Sequence, residues 1–457
     1  EFWVGGITGA LSCAIAPSGF LSPVSTNLVF YASIDGKANE YVWTSSEGES
    51  ITNRPFVEHY CTSSVYTLTL TALNNDTNTS ATSTVYIAQI NYVMIESTNP
   101  VWPYVAWSTA ATNIQDAVNA WTDSGGKVLV TNGVYATGGT VTPGFSLTNR
   151  IVVTNATTVE SVTGPAATII VGQGPLGDSA VRCAYLANGA ILSGFTLSNG
   201  FTRWSGFGAD EQGGGALCDS WSVVSNSTLC GNSARYGGGI FGGILYDCTL
   251  SSNSAILGGG AGWSTLHNCT LTRNSGGDYG GGADACTLYN CTLTSNSAYG
   301  GGGTFQSTLY NCALSDNSAY GGGGALDGTL YNCTLRDNSA YDGGGAADAA
   351  LYNCMLTGNS ASNQAGGTAG GSLNNCTLTS NSASGYGGGA TYGTLYNCIV
   401  YYNTSPTGTN YEGSTFEYSC TTPSPGGTGN ITNEPGFVDY AATNLHLSSS
   451  SMCINAG

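Results

Sequence analysis

A single spacing governs most of this chain. Cysteines fall at Cys248, Cys269, Cys291, Cys312, Cys333, Cys354, Cys376 and Cys398, each 21 or 22 residues after the one before. Asparagines keep the same step from Asn232 to Asn403, and glycine clusters keep it from Gly237 to Gly387. Ser227 stands one step before the first cysteine, and Cys420 one step after the last. One copy reads Tyr320-Gly-Gly-Gly-Gly-Ala-Leu-Asp-Gly-Thr-Leu-Tyr-Asn-Cys-Thr-Leu-Arg-Asp-Asn-Ser-Ala340. Repetition at this period means that each copy is one unit stacked on its neighbours.

The unit is not helical. Helical repeats need about 33 residues or more, and the glycine runs would break a helix. In Leu-Tyr-Asn-Cys-Thr-Leu, apolar and polar residues alternate as in short, half-buried strands. A coil of this length with short strands and Gly or Asn corners fits one turn of a parallel β-helix. Its coils would stack at about 4.8 Å. Asn tolerates the left-handed conformation and can bond along the stack. Cysteine is small and apolar enough for a narrow interior.

The pattern Leu-Tyr-Asn-Cys-Thr-Leu-x-x-Asn-Ser-Ala followed by Gly-Gly-Gly-Ala resembles the secreted bacterial right-handed parallel β-helix repeat proteins, including the polymorphic-outer-membrane-protein-like group. Thr112-Asn-Ile-Gln-Asp-Ala-Val-Asn-Ala120 and Ile191-Leu-Ser-Gly-Phe-Thr-Leu-Ser-Asn199 resemble the first coils of that family. Ser451-Met-Cys-Ile-Asn-Ala-Gly457 is similar to its closing Cys-Ile-Asp-Ala-Gly signature, with Asn455 in place of the Asp. The resemblance implies a fold and an extracellular setting. It implies no single function, because lyases, hydrolases, adhesins and fibres share this scaffold.

The expected organisation is an all-β chain. Residues 1–90 read as a small sandwich and resemble the immunoglobulin-like modules of bacterial surface proteins. Residues 91–124 read as a linker with a capping helix begun by Asn113, residues 125–403 as the β-helix, and residues 404–457 as final coils and cap. Residues 200–212 interrupt the period and are expected to project as a loop carrying Arg203, Trp204, Asp210 and Glu211.

Only 8% of residues are charged and the net charge is −18, with Lys37 and Lys127 the only lysines. That excludes nucleic acid and anionic membranes as partners and leaves divalent cations compatible. No apolar run is long enough to span a membrane. The start at Glu1 without a methionine is read as a piece of a longer precursor. The ladder cysteines read as buried thiols, since parallel rungs stand slightly too far apart for a disulfide. Cys13 with Cys61 and Cys420 with Cys453 are candidate pairs.

Candidate site residues are those that align along the stack. Asp327 and Asp348 share one coil position, held in earlier coils by Gln306 and Trp263. Two stacked carboxylates suit carbohydrate or Ca²⁺, or form a plain acidic face. Tyr289, Tyr310, Tyr331 and Tyr352 form one aromatic file and Tyr299, Tyr320 and Tyr341 another, fit for stacking on sugars or on one another. Pectate-lyase-like and polygalacturonase-like enzymes need a basic residue or a histidine beside their carboxylates. Arg336 is the only arginine near Asp327 in sequence, and none of His59, His267 and His446 adjoins the pair. The function expected is therefore structural or adhesive rather than enzymatic: a secreted, surface-associated protein polymerising head to tail, with residues 1–12 adding to a neighbour's sheet. The alternative is a lyase or glycoside hydrolase acting on an acidic or neutral polysaccharide.

Overall fold

The computed structural model describes residues 9–16, 20–23, 27–60, 65–88, 90–120, 125–141, 144–204, 208–442 and 444–454. Residues 1–8, Cys61 and Asn455 lie outside them, and with them most of the proposed N-terminal arm and the Cys13–Cys61 pair.

The chain is a parallel β-solenoid preceded by small, mostly antiparallel sheets. Each coil contributes three short strands to three long sheets, some coils adding a fourth to a smaller parallel sheet, and like strands of successive coils pair in register. In the coil above these are Ala325–Leu326, Thr329–Tyr331 and Thr334–Arg336. They build three long sheets of 13, 14 and 13 strands, here named the alanine, tyrosine and arginine faces. Single left-handed residues turn the corners between strands: Asp327 at φ 54°, Asn332 at 54° and Asp337 at 52°. Asn and Asp tolerate that conformation better than other side chains, which accounts for their recurrence there.

The interior is a set of ladders. Leu330 and Leu335, like their copies, are fully buried, each contributing about 1.5–3 kcal/mol. Below them runs the asparagine ladder. Asn317 Nδ2 donates to the Leu293 carbonyl at 3.0 Å and to Asn338 Oδ1 at 2.9 Å, and Asn317 Oδ1 accepts from Asn296 N and Nδ2, both at 3.0 Å. Each buried amide is thus satisfied by the coils beside it. The ladder cysteines point inward as expected, and their sulfurs are free thiols. Five of these sulfurs accept from the backbone of the rung before, as Cys291 Sγ does from Cys269 N at 3.4 Å. The glycines make the last turn of each coil. A side chain at Gly323 would come within 2.3 Å of the Gly344 carbonyl oxygen and 2.5 Å of that of Ser339, so the stacked backbones leave no room for one.

The first strand of the tyrosine face is Ile90–Val93, parallel to Lys127–Val130, so the solenoid's first strand straddles the start of the expected linker. The helix Ile114–Asn119 is capped by Asn113, whose side chain accepts from Gln115 N, and buries Ile114, Ala117 and Val118 against the first coils. Before it, a three-stranded and a five-stranded sheet enclose Ile15, Phe30, Trp43, Val57, Tyr66, Leu68 and Leu70.

Within the insertion at 200–212, residues 209–212 are held against the coils rather than projecting. Asp210 accepts from Ser146 N and Leu147 N, and the buried Glu211 pairs with Arg235 at 3.2 Å. The buried Arg182 donates to the carbonyls of Ala209, Gln212 and Gly213. Donors from the coils below, the Arg182 guanidinium and the Ser146 and Leu147 N–H groups, thus hold this segment onto the solenoid. Among the described residues no helix is long and apolar enough to cross a membrane.

Candidate functional site

Asp327 and Asp348 occupy one corner in adjacent coils, both exposed, and Gln306 Nε2 donates to Asp327 Oδ2 at 3.0 Å. Trp263 shares the corner row but does not reach Gln306. Ala285 stands between them, and the Trp263 ring packs instead on Phe241, 5.3 Å away. All four residues hold left-handed backbone: Trp263 at φ 50°, Gln306 at 47°, Asp327 at 54° and Asp348 at 49°. The aspartates thus have a conformational reason to be where they are. Among the described residues no three His, Cys, Asp or Glu side chains converge as a metal site.

The tyrosine file is longer than the sequence reading made it. Tyr246, His267, Tyr289, Tyr310, Tyr331 and Tyr352 stack in one column, with centroids 4.8–5.0 Å apart and planes within 13° of parallel. His267 and Tyr246 keep the repeat spacing, which was the available signal. Tyr299, Tyr320 and Tyr341 stack likewise at 5.1 and 4.7 Å. A ring between two others has both faces covered, so the inner tyrosines offer edges and hydroxyls, not faces, to a sugar.

The arginine face carries a feature that periodicity does not announce. After the last coil the chain turns back, and a hairpin of Phe437–Asp439 and Asn444–Leu447 lies over earlier coils. Tyr440 seats it: its hydroxyl is 2.6 Å from Ser380 Oγ, and its ring is 4.6 Å from that of Tyr402. Beneath the hairpin runs a cleft in two parts. One, of about 320 Å³, is bounded by Arg336, Asp337, Ser380 and Tyr440. The other, of about 660 Å³, is bounded by Asn353, Asn375, Asn444 and His446. Met355 and Leu445 line both.

Arg336 and Asp337 form an ion pair at 2.8 Å, with both side chains about half exposed. Such a pair contributes about 0–1 kcal/mol and exchanges readily for another partner. Asp316 occupies the same corner one coil earlier, and its N–H donates to the Arg336 carbonyl at 3.2 Å. Arg336, though near Asp327 in sequence, is on another face, because the tyrosine strand separates them. The hairpin brings His446 to that same face, which carries Asp337, and not to the corner of Asp327 and Asp348. The carboxylates Asp316 and Asp337 repeat at the same step as Asp327 and Asp348, a signal the sequence reading missed.

No protein-family model matches this chain, and a search of curated proteins finds no match. Solved structures similar to it include three β-helical proteins. The A-module of the Azotobacter vinelandii mannuronan C-5 epimerase AlgE4 is 15% identical over 75% of this chain and 100% of that one, with a TM-score of 0.36. The PL6 family alginate lyase AlyGC is 9% identical over 74% of this chain and 56% of that one, with a TM-score of 0.36. The enzymatically active domain of tailspike protein 2 of bacteriophage CBA120 is 9% identical over 73% of this chain and 47% of that one, with a TM-score of 0.21. Likeness this remote transfers neither a substrate nor a residue's role.

Proposed function

We propose that this solenoid engages an extracellular, uronate-containing polysaccharide in the cleft beneath its C-terminal hairpin. One observation carries the reading: the hairpin brings Tyr440 and His446 over the face that bears Arg336 and Asp337. An extended glycan running along the coils would meet successive polar side chains there. Arg336 can exchange Asp337 for a sugar carboxylate, and the side chains of Asn353, Asn375 and Asn444 offer donors and acceptors to hydroxyls. The imidazole and phenol are suited to moving a proton at the carbon beside that carboxylate, while the guanidinium stabilises the charge that develops. That chemistry corresponds to elimination. The test is incubation with polyuronates and with neutral glycans, following binding by calorimetry and cleavage by the ultraviolet absorbance of the unsaturated product. Loss of binding in Arg336→Ala, with His446→Ala losing turnover but still binding, supports the proposal. Equal behaviour of the variants and the parent defeats it.

A second reading, assembly into a filament, is favoured by how many repeated side chains are spent on internal ladders and stacked files. The described part of the N-terminal arm is already engaged at home: Ser12–Ala16 pairs with Asn27–Asp35, and the Gly9 carbonyl accepts from Asn74 Nδ2 at 2.8 Å. Exchange between copies would thus fall to residues 1–8. Sedimentation of the intact chain and of a chain lacking residues 1–8 tests it: intact polymers against truncated monomers are the expected pair, and an intact monomer at high concentration refutes it.

A further inference from the structure

The cysteine beat and the structure part company at the last coil. Ser419, not Cys420, takes the next rung of the ladder: its Oγ accepts from Cys398 N at 3.0 Å, as a sulfur does in the coils before. Cys420 is thereby moved onto the strand Cys420–Thr421 opposite Ile399, and its Sγ donates to the Asn433 carbonyl at 3.1 Å. It is buried not by the solenoid interior but by the returning tail. The same tail brings Cys453 to it. Both line a cavity of about 280 Å³ together with Tyr418, Ile431 and Leu447.

We propose that Cys420 and Cys453 are a disulfide-forming pair that fastens the C-terminal tail, and the hairpin within it, to the last coil. The ladder thiols differ from this pair in a physical way. Their backbones are paired rung on rung at strand spacing, which holds parallel in-register Cβ atoms beyond disulfide geometry. Cys453 stands on a turn, outside any sheet, and the adjoining cavity gives its side chain room to rotate. It is also half-buried, so a reagent reaches it first. As the more exposed of the two, Cys453 is the attacking thiolate, and its neighbour Cys420 holds its thiol below the ordinary range.

With glutathione disulfide as oxidant, the Cys453 thiolate attacks one glutathione sulfur and releases a glutathione thiolate. Cys420, giving up its proton, then attacks Cys453 Sγ and releases the second. The two protein sulfurs lose two electrons to the glutathione disulfide, and both thiol protons end on the two glutathione thiols. The inference stands whether or not the cleft takes a glycan.

The experiment treats the intact chain with glutathione disulfide, caps free thiols with iodoacetamide and maps peptides without reduction. The expected result is one cross-linked peptide joining Cys420 to Cys453. Ladder cysteines should stay uncapped until the chain is denatured, and proteolysis within residues 437–447 should slow by about tenfold, as for a segment whose local opening is suppressed. Cys453→Ser, and equally Cys453→Ala, should fold, form no cross-link and show no slowing. A stable mixed disulfide at Cys453, a cross-link to a ladder cysteine, or a cross-link without slower proteolysis would overturn the proposal.

Discussion

The Tyr440 hydroxyl lies 2.6 Å from Ser380 Oγ, although sixty residues separate them in sequence. This contact, with the packing of Tyr440 on Tyr402, turns a flat face of the solenoid into a roofed cleft. Tyr440→Phe keeps the ring and removes the hydrogen bond, about 1 kcal/mol. Amides of residues 437–447 should then exchange about fivefold faster, with the solenoid core unchanged. Hydrogen exchange read by mass spectrometry checks this, and an unchanged hairpin would show that the roof is held elsewhere.

The asparagine ladder makes a stronger demand. Asn317 has its amide nitrogen and oxygen both engaged between coils. Asn317→Ala would leave buried partners unpaired above and below, at about 3 kcal/mol or more. Asn317→Asp keeps the shape but loses the donor, and it buries a charge. It should be worse at neutral pH and recover partly in acid. Denaturant melts of both variants at two pH values separate these effects.

Much of this was legible in the sequence, because a period fixes which residues lie above one another. The buried leucines, the thiol ladder, the corner row of Gln306, Asp327 and Asp348, and the stacking of the tyrosines all follow from the spacing. The cleft does not. The hairpin lies where the repeat has ended, and its position is set by Tyr440, which has no periodic relation to the corner residues Ser380 and Tyr402 that it meets. The shift from Cys420 to Ser419 is of the same kind, since one residue of slippage reverses which side chain faces inward.

Asp284 gives a pH signature. It stands on the alanine face between Gly262 and Phe305, is 2% exposed, and has no partner for Oδ2. Burial pushes its carboxyl up to about 6. The folded chain therefore keeps this proton at pH values where the unfolded chain has lost it. Stability from this group is complete below pH about 4 and is lost as pH rises to about 6, a fall of about 3 kcal/mol. Asp284→Asn should flatten that part of the profile and be the more stable protein at pH 7. Unfolding free energies at intervals between pH 3 and 8 decide it, and parallel profiles for the two proteins would show that Asp284 is solvated or paired.

The stacked tyrosines separate stiffness from recognition. Tyr310 sits between Tyr289 and Tyr331, 5.0 Å from each. Tyr310→Ala removes two stacked pairs, each about 0.5–1.5 kcal/mol beyond area, and should lower stability by about 1–3 kcal/mol. Glycan affinity should not move, because neither face of that ring is open. Thermal melts alongside polyuronate titrations test both halves, and a loss of affinity at unchanged stability would place the glycan on the tyrosine face.

The last prediction concerns the corner aspartates. Asp327 at φ 54° and Asp348 at φ 49° need side chains that accept left-handed backbone. Asparagine accepts it, so Asp327→Asn and Asp348→Asn should leave stability within about 0.5 kcal/mol. Valine does not, because its branched Cβ meets the backbone there. Asp327→Val should cost about 1–2 kcal/mol. Binding or turnover of a polyuronate should be untouched in both asparagine variants, since the arginine face and the hairpin remain whole. If instead turnover disappears in Asp327→Asn and Asp348→Asn while the proteins stay folded, the two carboxylates are the chemical centre, and the cleft below the hairpin is not.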